Sequence, residues 1–230
     1  MTMNKSVCSL WLPMLISGML SACSLTTKTP DGTQVTVSHL PTSSSDMPNV
    51  DMTTANGTVM HFSNMGKTPD GQPSLPTMNV KGADGSVVNS DMSGKGGVEI
   101  PPIFPLKQYP GSIASYCAAS PDVHYDMANM SSPDAPEKIQ KFYYDDMSAG
   151  GWKFSQNASH ETNKFVAAGT VMMDADKDDL MAHILLTSDA QTAKGTTIML
   201  TIRKKTKYDL DQERFAAKSR AIREKLQHRK

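Results

Sequence analysis

Ser132-Pro133-Asp134-Ala135-Pro136-Glu137-Lys138-Ile139-Gln140-Lys141-Phe142-Tyr143 is the stretch on which the reading of the fold turns. Asp134 followed three residues later by Glu137 has the spacing of a capping box, in which each side chain satisfies an orphan backbone N–H near the other. Pro136 falls in the first turn, where its missing N–H costs little. Ile139, Phe142, Tyr143, Asp146 and Met147 recur at helical spacing, so the apolar members share one face. Gly150-Gly151 supplies the stop. An amphipathic helix is expected between Asp134 and Gly150, and its apolar face needs a sheet to cover.

The flanking segments provide one. Upstream, Tyr109-Pro110-Gly111-Ser112 reads as a turn, Ile113 to Ala119 as a strand, and Val123 to Met127 as a half-buried strand with His124 in it. Downstream, Trp152-Lys153-Phe154, Lys164 to Met173, Met181 to Thr187 and Thr196 to Arg203 are β-prone, with Ala193-Lys194-Gly195 as the last turn. The order β-β-α-β-β-β-β predicts an α+β fold over residues 98–205: an antiparallel sheet packed by one main helix, close to the modal domain size.

Tyr109-Pro110-Gly111-Ser112, the helix from Pro136 through Ile139 to Phe142-Tyr143, and the exit Gly151-Trp152 together resemble a recurrent domain of bacterial lipoproteins and secreted proteins. Members of that family carry a YPGA opening, a helix with a Pro-Glu then Val-x-x-Phe-Tyr pattern and a Gly-Trp exit. The resemblance covers roughly residues 100–205, with Ser112 in place of the usual Ala. It implies a small α+β fold in the cell envelope and brings no chemistry with it.

The N-terminus points to the same compartment. Residues 1–22 have a short polar start with Lys5, then an apolar stretch from Val7 to Leu20 interrupted by Ser, Pro and Gly, the pattern of an export signal. Leu20-Ser21-Ala22-Cys23 resembles the lipobox of bacterial lipoproteins: small residues admit the peptidase and the Cys23 thiol accepts lipid. The resemblance implies that Cys23 opens the mature chain with several acyl chains, which anchor stably where one would not. Ser24, which is not Asp, favours the outer membrane facing the periplasm. Export removes nucleic acid from the expected partners and leaves the membrane, another envelope protein, or an anionic envelope polymer.

Residues 23–97 are dense in Ser, Thr, Gly, Pro, Asn and Asp, with Phe62 as the sole aromatic. A chain so poor in apolar surface does not offset its own entropy, and the expectation is a disordered tether with a reach of about 45 Å. Two turn patterns recur in it. Ala55-Asn56-Gly57-Thr58-Val59-Met60 aligns with Ala83-Asp84-Gly85-Ser86-Val87-Val88, and Thr29-Pro30-Asp31-Gly32 with Thr68-Pro69-Asp70-Gly71. These fit small hairpins, but an isolated hairpin is marginal in water, so a linker is the preferred reading.

Residues 206–230 form a basic C-terminal helix by composition, with Asp209 and Gln212 at its start. The 23 basic and 23 acidic residues cancel overall, yet from Arg203 onward there are eleven basic and four acidic. The rest of the chain is correspondingly acidic. Arg214, Lys218, Arg220, Arg223 and Lys225 are the candidate partner-binding residues.

For a metal, Asp174, Asp176 and Asp178 offer alternate carboxylates of the kind calcium takes, but in EF-hand spacing Asp179 stands where Gly belongs and Leu185 where Glu belongs. A solvated acidic turn is the preferred reading. The methionines at 47, 52, 60, 65, 78 and 92, with His61 beside Met60, leave copper(I) as a further alternative. No cofactor is expected. Cys117 reads as a buried filler, and neither His124 nor His183 belongs to a hydrolase motif, so no enzyme is expected. The functional expectation is a membrane-anchored envelope lipoprotein acting as a non-catalytic binding or assembly module. The alternative is a lipoprotein binding a small ligand or a metal ion.

Overall fold

A computed structural model of the chain describes residues 24–38, 48–63, 66–67, 73–93, 97–154, 169–188 and 195–227. Among them are fourteen strands and two helices, so the fold is mostly β and the α+β expectation is overturned. The source of the difference is the segment read as a disordered tether. It forms strands β1 (Leu25–Lys28), β2 (Gln34–Ser38), β3 (Asn49–Thr53), β4 (Val59–Ser63), β5 (Gly66–Lys67), β6 (Pro73–Ser74), β7 (Thr77–Lys81) and β8 (Val87–Asp91).

The chain divides into two compact units, the first running to Asp122 and adding Met127–Ser132. Here antiparallel strands follow the order β1-β2-β3-β4-β7-β8, continuing into β9 (Ile113–Ala119) and β10 (Tyr125–Ser132), while β5 and β6 pair with each other. A hairpin that is marginal alone gains a second ladder when its neighbours pair on both sides, which is why the low-hydrophobicity stretch folds as an array.

The same turn is built three times. Thr29 N–H donates to Thr33 O (2.8 Å), Thr54 N–H to Thr58 O (2.9 Å) and Gly82 N–H to Ser86 O (2.8 Å). Within each, Gly32, Gly57 or Gly85 sits at φ +89°, +87° or +85°, the left-handed region that glycine enters without a Cβ clash. The Thr68 turn lies outside the described residues.

Alternation then sorts this sheet into two faces. The apolar rows Val37–Val50–Phe62–Met78 and Val35–Met52–Met60–Val80–Val88 share one face, and all these side chains are half-buried. The opposite face carries a polar row running Thr26–Thr36–Asp51–His61–Asn79–Asn89 across six strands. Its members hydrogen-bond in pairs: Thr26 with Thr36 (3.0 Å), His61 Nδ1 with Asp51 Oδ1 (2.5 Å), and Asn79 Nδ2 to Asn89 Oδ1 (2.6 Å). Buried Asn89 donates onward to Glu99 O (2.8 Å).

In β9 the register slips opposite Asn129 and Met130, skipping Ser115. The extra residue resets the alternation, so that Ala114, Cys117 and Ala119 are all buried despite their uneven spacing. β10 begins at Tyr125, later than the Val123 start expected. Val123 stands at φ +47° in the preceding turn, and His124 is exposed beside it, outside the strand.

The second unit comprises Val123–Asp126 and the chain from Pro133 onward. Helix α1 (Pro136–Ala149) packs on β11 (Lys153–Phe154), β12 (Thr170–Lys177) and β13 (Leu180–Ser188), and β13 pairs with β14 (Thr196–Lys204). Ile139, Tyr143 and Met147 are the buried face of α1, and cross-strand rows such as Met173–Ile184–Leu200 complete the core. Each such side chain contributes about 1.5–3 kcal/mol on burial.

The capping box does not form. The N-cap is Ala135, without a side-chain cap. Asp134 instead pairs with Lys138 (2.9 Å) one turn on, and its carbonyl accepts from the buried Thr196 hydroxyl of β14 (2.7 Å). Gly150 and Gly151 do end the helix: Gly151, at φ +85°, lets Trp152 N–H reach back to Met147 O (3.0 Å). Helix α2 (Lys207–Gln227) closes the described chain.

Candidate functional site

The most heavily built polar site lies where β14 passes into α2. Thr206 is the residue just before the helix, and its backbone N–H (2.7 Å) and hydroxyl (2.6 Å) both donate to Asp209 Oδ2. Asp209 N–H returns a bond to Thr206 Oγ1 (3.3 Å), so Thr206 and Asp209 form the reciprocal cap. The Thr-x-x-Asp spacing was visible in the sequence, but the cap is Thr206, three residues before the expected Asp209.

Arg203, near the end of β14, and Lys205, just past it, are both addressed to α2. The Arg203 guanidinium straddles Asp209, donating to Oδ2 at 2.7 Å and Oδ1 at 3.1 Å. This bidentate bond, followed by those from Thr206, holds the Asp209 carboxyl well below the usual carboxylate range, and the same contact raises Arg203. Lys205 has only 6% of its side chain exposed, with Nζ 2.6 Å from Glu213 Oε1 and 3.3 Å from Asp176 Oδ1. Burial works to lower the Lys205 pKa, but the two carboxylates outweigh it and the pKa ends up raised. Lys205 N–H also donates to Asp179 O at the β12–β13 turn (2.6 Å). The first two turns of α2 are thereby fastened to the sheet at several points.

Beyond that base most of the described side chains of the helix are exposed. Residues 211–218 are all exposed, and Tyr208, Phe215 and Ile222 stand 70%, 70% and 59% exposed. Of the candidate partner-binding residues, Arg214 and Lys218 are exposed here, with Asp211 3.6 Å from Arg214. Arg223 and Lys225 lie within α2, as does Arg220, but the side chains of all three fall outside the described residues. Cys23 falls outside them too.

The acidic trio is dispersed. Asp174 Oδ1 meets His183 Nδ1 across the β12–β13 ladder (2.6 Å), Asp176 faces Lys205, and Asp178 occupies the turn at φ +53°. Among the described residues no group of three or more His, Cys, Asp or Glu side chains is placed to hold a metal ion. Met52 and Met60 are direct cross-strand partners, and Met78 pairs with Phe62, so these thioethers belong to the apolar rows. Cys117 is free of disulfides and wholly buried. No helix among the described residues is long and apolar enough to cross a membrane.

Residues 120–198 match a family model described as START domain-like. The match covers about a third of the chain. It takes in β10, α1, β11, β12, β13 and the start of β14, and stops short of Arg203, Lys205 and α2. START-like domains are typically binding domains, so the matched segment is compatible with a ligand-binding module. No curated protein and no solved structure matches the chain.

Proposed function

We propose that this chain is a lipid-anchored envelope protein that acts as a non-catalytic binding or assembly module and meets its partner through α2. The observation that carries the reading is a basic helix fixed at its base by Arg203–Asp209 and Lys205–Glu213 and exposed over residues 214–218 and at Ile222. A helix mounted in this way presents its side chains at a defined place without spending free energy on ordering itself when the partner arrives. The START-like match supports binding over chemistry. It also favours a second reading, in which residues 120–198 hold a small ligand.

Anchoring at Cys23 takes a different form from that of a long leash. β1 opens at Leu25, two residues after Cys23, so acyl chains there would hold the β1 edge of the first unit at the bilayer. The test is crosslinking in intact cells, comparing the full chain with one ending at Ala216. The cut must follow Glu213, because a shorter chain would strip Lys205 of its 2.6 Å partner and, cut before Asp209, Arg203 of its own. A crosslink to protein or lipid lost on truncation supports α2 as the partner arm; crosslinks to both that persist move the reading to the small ligand. Cys23→Ser is expected to release the protein from the membrane fraction, and retention there would overturn the anchor.

A further inference from the structure

We propose that the partner of α2 is the surface of an anionic lipid bilayer, with Tyr208, Phe215 and Ile222 inserted at the headgroup level. The proposal rests on the reading of α2 as the partner-contacting arm. Those three side chains are 70%, 70% and 59% exposed and recur every seven residues, which at 3.6 residues per turn keeps them on one face. Water is a poor permanent neighbour for two aromatic rings and an isoleucine in line, and an apolar phase is the occupant that matches them.

Charge decides which apolar phase. Three of the four acids of α2 lie in its first two turns, where Asp209 is taken by Arg203, Glu213 by Lys205, and Asp211 stands 3.6 Å from Arg214. Over residues 214–230 there are seven basic residues and one acidic, Glu224. Arg214 and Lys218, one residue before and three after Phe215, lie along the flank of the apolar stripe by helical spacing. An apolar face with basic flanks is the arrangement of a helix lying in the plane of an anionic interface, where rings seat among the acyl boundaries and ammonium and guanidinium groups meet phosphates.

The competing occupants fit less well. A second copy would pair through a coiled-coil seam, but the positions alternating with Tyr208, Phe215 and Ile222 are Asp211 and Lys218, and charges there break the seam. A soluble polyanion would satisfy the basic flank and leave Phe215 and Ile222 in water.

The test uses residues 24–230, which contain every described strand and helix of both units and lack the acyl anchor. Cosedimentation is measured with phosphatidylcholine vesicles and with vesicles containing phosphatidylglycerol. Binding is expected only on the anionic vesicles and should weaken with salt. Arg214→Gln with Lys218→Gln should reduce partitioning about thirtyfold, taking about 1 kcal/mol per basic residue near an anionic surface. Phe215→Glu should abolish it, although its far-UV spectrum stays that of the parent because the side chain is 70% exposed. Equal binding to both vesicle types, or undiminished binding by Phe215→Glu, overturns the proposal. If vesicles fail while truncation after Ala216 still removes a protein crosslink, the arm stands and its partner is a protein. If both fail, the arm falls too.

Discussion

Replacing Thr196 by Val and Asp134 by Ala separates two accounts of how α1 starts. In a capping box the Asp134 side chain would hold the first turn, and its loss would cost about 1 kcal/mol. In the structure that side chain pairs with Lys138 one turn on, the lysine 69% and the aspartate 32% exposed, a contact worth about 0.2–0.5 kcal/mol. The hydroxyl that matters is on Thr196, which is 1% exposed and donates to Asp134 O at 2.7 Å. Valine keeps its shape and removes the donor, leaving a part-buried carbonyl without that partner, at a cost of about 1.5 kcal/mol. The assay is urea unfolding of residues 24–230 followed by the fluorescence of Trp152, the one tryptophan of that chain, 7% exposed just past the end of α1. With a slope of about 1–2 kcal/mol per molar urea, Thr196→Val should lower the midpoint by about 1 M and Asp134→Ala by a third of that or less. A larger loss for Asp134→Ala than for Thr196→Val would refute the reasoning and restore the capping box.

Three further outcomes follow from the same contacts. Asn89→Ala, which removes the bonds to Asn79 and Glu99 O, should cost about 1–3 kcal/mol and speed amide hydrogen exchange in β7 and β8; random-coil exchange there in the parent chain would instead mean a tether. Because Arg203 and then Thr206 depress the Asp209 carboxyl, its contribution is complete above about pH 4, where an unfolded aspartate is ionised, and is lost as pH falls through the lowered folded value. The helicity of α2 should therefore survive to pH 4 and decline only in stronger acid, whereas Asp209→Asn should lose helix already at pH 7; identical circular dichroism titrations would exclude this role for Asp209. Cys117, fully buried in β9, should react with Ellman's reagent only at the rate at which the first unit opens, and fast labelling of the native protein would contradict its placement.

Local pattern was enough for the elements whose neighbours lie close in the chain. The stretch from Ile113 to Ala119 is a strand to the residue, Met181–Thr187 and Thr196–Arg203 are each extended by one or two residues, and Ile139, Tyr143 and Met147 form the buried helix face that their spacing implies. Gly150-Gly151 stops α1 because the requirement for a left-handed residue is local. Charge segregation between body and tail was likewise legible, since it needs no coordinates.

What the chain by itself could not declare is which of its marginal pieces acquire partners. The Asn56-Gly57 and Asp84-Gly85 turns were visible, yet composition argued for a linker, because the stability of a hairpin array comes from strands paired on both sides and not from any single segment. The same holds at the candidate site. Arg203, Lys205 and Thr206 look like three more polar residues of a basic tail until β14 and α2 bring Asp209, Glu213 and Asp176 against them. Sequence determined the turns, the periodicities and the sign of each charge. Tertiary structure alone decided which strands share ladders and which charges are neutralised, because both depend on whether segments that are marginal alone gain packed neighbours, which no local pattern encodes.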